Sequence, residues 1–95
     1  MPSITIEHRT GKDRDEIWCW LEEHLERELR HRVPREEFRV VGAPDDRTFV
    51  IKGKNVGARV RVDDELVSIE LDIPLLFVPF SQKIEAGVRD ALGDL

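Results

Sequence analysis

The chain opens on an alternation. From Ser3 to His8, Ile4 and Ile6 fall on one side and Thr5 and Glu7 on the other, the period of two that marks a half-buried strand. Gly11-Lys12 reads as a turn. Asp13, three residues ahead of Glu16, reads as a helix N-cap with its capping-box partner. The period then becomes helical from about Arg14 to Arg32. At about 100° per residue, Ile17, Trp18, Leu21, Leu25 and Leu29 share one arc, which is the expected core face. Glu23/Arg27, Glu26/Arg30 and Glu28/Arg32 are i,i+4 pairs in the favourable order, and Pro34 is the expected stop.

Three hairpins follow. A type I turn centred on Pro44-Asp45 would pair Val40 with Phe49 and Phe38 with Ile51. A turn at Lys54-Asn55 pairs Ile51 with Ala58 and Phe49 with Val60. A turn at Asp64-Glu65 sets Val62 against Val67, Val60 against Ile69 and Ala58 against Leu71, with Arg59 facing Glu70 and Arg61 facing Ser68. A one-residue slip anywhere would turn the apolar set into water.

Ile73 to Phe80 is an unbroken apolar run, and a helical pattern succeeds it. Phe80, Ile84, Gly87, Val88, Ala91, Leu92 and Leu95 share a face, and Pro79 suits a first helical position. Irregular or single-turn structure is expected up to Val78, then a helix to about Leu92. The order is β-α-β-β-β-β-α: an α+β fold, its five-stranded antiparallel sheet carrying both helices on one face. The first strand is expected beside the Glu65 to Ile73 strand. This is a shortened helix-grip plan.

Length confines the chain to a single domain, residues 1–95. Fifteen basic against twenty acidic residues give a net charge of -5, which argues against nucleic acid as a partner. The acid is concentrated late, with eight Asp/Glu and two Lys/Arg from Asp63 to Leu95. The lone Cys19 suits a reducing compartment, and Met1 to Thr10 shows no secretory pattern. The longest apolar run is far shorter than the roughly twenty residues of a membrane span. These features together lead to the expectation of a cytoplasmic protein.

Candidate chemistry is sparse. Gly11-Lys12-Asp13 and Gly53-Lys54-Asn55 lack the rest of a phosphate loop and read as turns. His24 and His31 are two helical turns apart, about 10.5 Å along the axis, too far to hold one ion side by side. His8 falls on the core side of its strand by parity and reads as a hydrogen-bonded, partly buried histidine. Cys19 and Ser68 have no base beside them, and Asp45-Asp46 and Asp63-Asp64 read as turn formers. No catalytic residue, metal site or cofactor is expected, and the protein is read as a non-enzyme.

Two surfaces remain as candidates for contact. Trp20, His24, Arg27 and His31 form a stripe at the margin of the apolar arc, and exposed Trp and Arg make good anchors. Leu75, Leu76, Phe77, Val78 and Phe80 either close the core or form an apolar tip for a hydrophobic surface or partner. The competing function is a hydrophobic-ligand carrier or minor enzyme, with a cavity between the sheet and the C-terminal helix. A homodimer through the apolar run or a free strand edge at Glu37 to Val41 is compatible with either.

The stretch Leu71-Asp-Ile-Pro-Leu-Leu-Phe-Val-Pro-Phe-Ser-Gln-Lys-Ile-Glu85 resembles the ending of the small bacterial polyhydroxyalkanoic acid system proteins. The Ile4, Ile6 and His8-Arg9 pattern, the charged helix and the hairpin meander extend that resemblance over nearly the whole chain. Val78 stands where that family usually has a basic residue before the proline, and Trp18-Cys19-Trp20 is bulkier than expected there. The resemblance implies association with polyhydroxyalkanoate storage, at the granule surface or with a granule-associated protein, and carries over no catalytic residue.

Overall fold

The computed structural model describes residues 3–32, 37–54, 57–93 and 95. Pro34, the expected helix stop, and Asn55, half of the expected second turn, lie outside them. The elements are strand β1 (Ser3–Arg9), helix α1 (Arg14–Arg32), strands β2 (Phe38–Ala43), β3 (Thr48–Gly53), β4 (Gly57–Asp63) and β5 (Leu66–Asp72), and helix α2 (Ser81–Ala91). Short 3-10 helices occupy Pro44–Asp46 and Leu75–Phe80. The strands form one antiparallel sheet in the order β1-β5-β4-β3-β2, with β1 against β5 as expected.

Helix α1 begins where its sequence chemistry requires. The Asp13 carboxylate accepts from the Glu16 N–H at 2.9 Å, and Asp64 Oδ1 accepts from the Arg14 N–H at 3.2 Å. Two carboxylates thus meet the positive end of the helix dipole, one local and one supplied by the β4–β5 turn. Ile17, Trp18 and Leu21 are buried, Leu25 and Leu29 half-buried, and Arg30 bonds Glu26 at 2.8 Å.

The inner face of the sheet supplies the other half of the core: Ile6, Phe49, Ile51, Val60, Val67 and Ile69 are all buried. The β3–β4 and β4–β5 registers match the sequence arithmetic, including Ile51 with Ala58 and Arg59 with Glu70. The β2–β3 register differs by two residues: Val40 lies opposite Ile51, Phe38 opposite Gly53 and Gly42 opposite Phe49. The cause is a four-residue connection. Pro44–Asp46 forms a 3-10 turn and Arg47 reverses the chain in the left-handed region at φ 50°, so Thr48 pairs with Ala43. A two-residue shift preserves which side chains face inward. It also puts a glycine across from Phe49, whose ring stacks on Trp18 with centroids 4.1 Å apart. A Cβ on Gly42 would lie 3.1 Å from the Phe49 ring, so the missing side chain makes room for the stack.

Glu65 also sits in the left-handed region, at φ 58°. Its backbone does the structural work: its N–H donates to the Lys12 carbonyl at 3.1 Å, and its carbonyl accepts from the Thr10 N–H at 3.0 Å. A β-carbon in that conformation costs roughly 1–2 kcal/mol, part of which glycine returns through its freer unfolded chain. Glu65→Gly is therefore expected to stabilise the protein by about 0.5–1 kcal/mol, read as a higher denaturation midpoint.

Candidate apolar contact site

Beyond β5 the chain has no charged residue from Ile73 to Gln82. Ile73 is only 3% exposed and anchors the segment. Pro74 is extended, at φ -62° and ψ 150°, and its carbonyl accepts from the Phe77 N–H at 2.9 Å, starting a 3-10 helix over Leu75–Phe80. Pro79 lies inside this turn rather than at the first position of α2. Lacking an N–H, it leaves a carbonyl of the preceding turn without a helical donor, and regular α-helix begins only after it, at Ser81.

In a 3-10 helix, positions i and i+3 eclipse. Phe77 and Phe80 therefore project together, and Leu76 lies on another side with Pro79. Leu76 is 83% exposed, Phe80 52%, Phe77 44% and Val78 40%. Leu75 opens the helix, though its side chain is not among those described. The open alternative between closing the core and forming a tip is thus decided residue by residue: Ile73 enters the interior, and Leu76, Phe77, Val78 and Phe80 do not. Phe80 accordingly leaves the α2 core face assigned to it from periodicity.

Helix α2 is lightly seated. No residue within it is buried, and its apolar positions Ile84, Val88 and Ala91 are half-buried, with Leu92 just beyond the helix reaching the core. Arg89 ties it to the sheet, donating to the Glu7 carbonyl at 2.9 Å while pairing with Glu85 at 3.1 Å.

The Trp20 stripe divides. Trp20 is half-buried against the core and stacks on His24 at 4.7 Å, and His24 Nδ1 donates to the Trp20 carbonyl at 2.9 Å. Arg27 and His31 are exposed farther along α1. Among the described residues no three His, Cys, Asp or Glu side chains gather as metal ligands. His8 faces inward as parity requires and is half-buried, but it is not hydrogen-bonded as expected: its Nε2 is buried with no partner. Directly opposite on β5 stands Val67, whose side chain offers the ring nothing to bond. Replacing a buried unsatisfied group by a carbon side chain of similar volume removes its desolvation cost, so His8→Leu is expected to stabilise by about 1 kcal/mol in urea unfolding.

One feature escaped the sequence reading. An open groove of about 290 Å³ runs between α1 and the β2–β3 hairpin, floored by Trp18, Phe49 and Leu21. Gly42, a glycine within a strand pattern, is the signal that marks such a close approach. The groove lies along α1, not between the sheet and the C-terminal helix, where the ligand-carrier reading would place a cavity.

No helix among the described residues is long and apolar enough to cross a membrane. The molecule is a small α+β protein with one helix-covered sheet face, one open face and an exposed apolar segment. Over residues 3–95 it matches the family described as "putative polyhydroxyalkanoic acid system protein", and the chain belongs to that family. No curated protein and no solved structure matches it.

Proposed function

We propose that the protein is a non-enzymatic component of the polyhydroxyalkanoate system that adsorbs to a hydrophobic surface, that of the storage polyester or of a protein coating it. The observation that carries this reading is the uncharged 3-10 helix with Leu76, Phe77, Val78 and Phe80 held outward. A monomer's largest apolar patch commonly measures about 300–600 Å² and is often functional. Four large apolar side chains on two adjacent turns approach that size. An aliphatic polyester surface asks for apolar area and imposes little geometry, which suits a short protruding segment.

The test is co-sedimentation of the purified protein with polyhydroxybutyrate particles, beside neutral lipid vesicles of equal surface area. Pelleting with the polymer in preference to vesicles supports direct adsorption. Failure to pellet with the polymer removes that reading and leaves a coating protein as the partner.

A further inference from the structure

The apolar segment and the excess of acid lie at opposite ends of the molecule. The 3-10 helix over Leu75–Phe80 leaves β5 at the end of the sheet marked by the row Ser3, Asp72, Gly57, Lys52 and Arg39. The far end is closed by the connections from β1 to α1, β2 to β3 and β4 to β5. They are tied together there, the Glu65 N–H donating to the Lys12 carbonyl and the Val62 N–H to the Arg47 carbonyl. Between the two ends β4 takes six steps from Gly57 to Asp63, roughly 20 Å at about 3.4 Å each.

At the far end stand Asp13, Asp15 and Glu16 leading into α1, Asp45-Asp46, and Asp63-Asp64-Glu65. All eight acids are exposed, and only Arg9, Lys12, Arg14 and Arg47 oppose them. Around the apolar segment the balance reverses. Arg39, Lys52, Lys54, Lys83 and Arg30, whose guanidinium lies over the Phe38 ring at the close of α1, stand against Glu28, Glu37 and Asp72. The described side chains thus carry a net -4 at the far end and +2 at the segment's end, and the eleven charges between them sum to -3. The far end also has nothing with which to adsorb. Of the exposed large apolar side chains among the described residues, four lie on the segment and the fifth, Val41, in mid-strand on β2.

Charges farther apart than the screening length, about 8 Å at physiological salt, act separately. A surface beneath the apolar segment therefore does not feel the far end, whereas anything arriving from solution meets it first. We propose that the protein stands on its surface by the apolar end and turns the acidic end outward, so that a coated particle bears a negative outer layer opposing coalescence with another. This rests on the proposed adsorption and adds to it an orientation and a function. Two coated particles present like ends to each other, and their repulsion acts before the apolar surfaces below come within reach.

The test uses polyhydroxybutyrate particles coated with the protein in 0.1 M salt, where the screening length is about 10 Å. Three quantities are read: the pelleted fraction, the electrophoretic mobility of the coated particles, and their growth under stirring by light scattering. Two variants of equal net charge separate orientation from total charge. Asp45→Asn, Asp46→Asn and Asp63→Asn remove three charges at the far end, and Glu37→Gln, Glu70→Gln and Asp72→Asn remove three from the segment's half. All six positions are exposed, so both variants are expected to keep the native melt and to pellet like wild type. The far-end variant is expected to lose about half or more of the wild-type mobility and to coalesce at least about threefold faster. The other variant is expected to match wild type in both. Failure to pellet would remove the adsorption reading and this one with it. Pelleting with equal mobility shifts in the two variants, or with coated wild-type particles coalescing as fast as bare ones, would overturn the outward acidic layer and leave adsorption standing. Protection undiminished at 1 M salt, where the screening length is about 3 Å, would be steric and would overturn it too.

Discussion

Leu76→Asp combined with Phe77→Asp is expected to leave the fold intact and to lower adsorption to polyhydroxybutyrate particles by roughly 10²–10⁴-fold. The magnitude follows from area. Burying a Leu or Phe side chain is worth about 1.5–3 kcal/mol each, so losing two removes about 3–6 kcal/mol, and each 1.4 kcal/mol is tenfold in affinity. The fold should tolerate both changes because Leu76 is 83% and Phe77 44% exposed, and exposed substitutions ordinarily shift stability by no more than about 0.5 kcal/mol. The measurement is the sedimented fraction across a particle titration, beside a thermal melt of the same sample. A melt lowered by more than about 10 °C would place these side chains in the core and remove the contact. Unchanged adsorption by a folded variant would move the contact elsewhere, with the Trp20–His24 stack on α1 as the next surface to alter.

How far the sequence could anticipate these features depended on which physical signal each one left. Helix α1 carries a strong apolar period, a capping aspartate and oppositely charged i,i+4 pairs, and its expected limits of Arg14 and Arg32 match the observed ones. The β4–β5 hairpin is legible because every inward position is aliphatic and the two-residue turn leaves one register. The β2–β3 hairpin is not, because a four-residue connection normally announces its left-handed position with Gly or Asn. Here that position is Arg47, held through its backbone, whose N–H donates to the Pro44 carbonyl at 3.2 Å and whose carbonyl accepts from the Val62 N–H at 2.8 Å. Parity survived the two-residue error, since both registers turn the same side chains inward.

The candidate site was legible as a segment but not as a surface. An unbroken apolar run has the same pattern whether it is covered or bare, and periodicity carries no information in it. What separates the two outcomes is tertiary: α2 returns along β1, held by Arg89 on the Glu7 carbonyl, and leaves the preceding turn uncovered. The facing of Arg59 and Glu70 on the open face was legible, because it follows from one hairpin. His8 shows the converse. Its inward direction follows from alternation, while its missing hydrogen bond depends on what neighbouring strands and α2 place around the ring.

Phe49→Ala is expected to be the most damaging single change in the molecule. Truncating a buried Phe costs about 3–5 kcal/mol, and the lost aromatic pair with Trp18 adds to the upper part of that range. A chain of this length has about 5–14 kcal/mol of stability in all, so the variant should lose a large share of it. At about 4–8 °C per kcal/mol, its melting temperature should fall by about 15 °C or more. The site has little means of collapsing. Across the strand stands Gly42, which has no side chain to swing into the void, and Phe49 and Trp18 both line the open groove. Phe49→Leu refills much of the volume and should cost about half as much. Fluorescence in a Trp20→Phe background, where Trp18 alone reports, gives a second reading: emission should shift to the red as the groove deepens onto the indole. A cost below about 1 kcal/mol with an unshifted spectrum would mean that β2 closes over the gap, and the rigid glycine–aromatic contact would then not be what holds α1 to the hairpin.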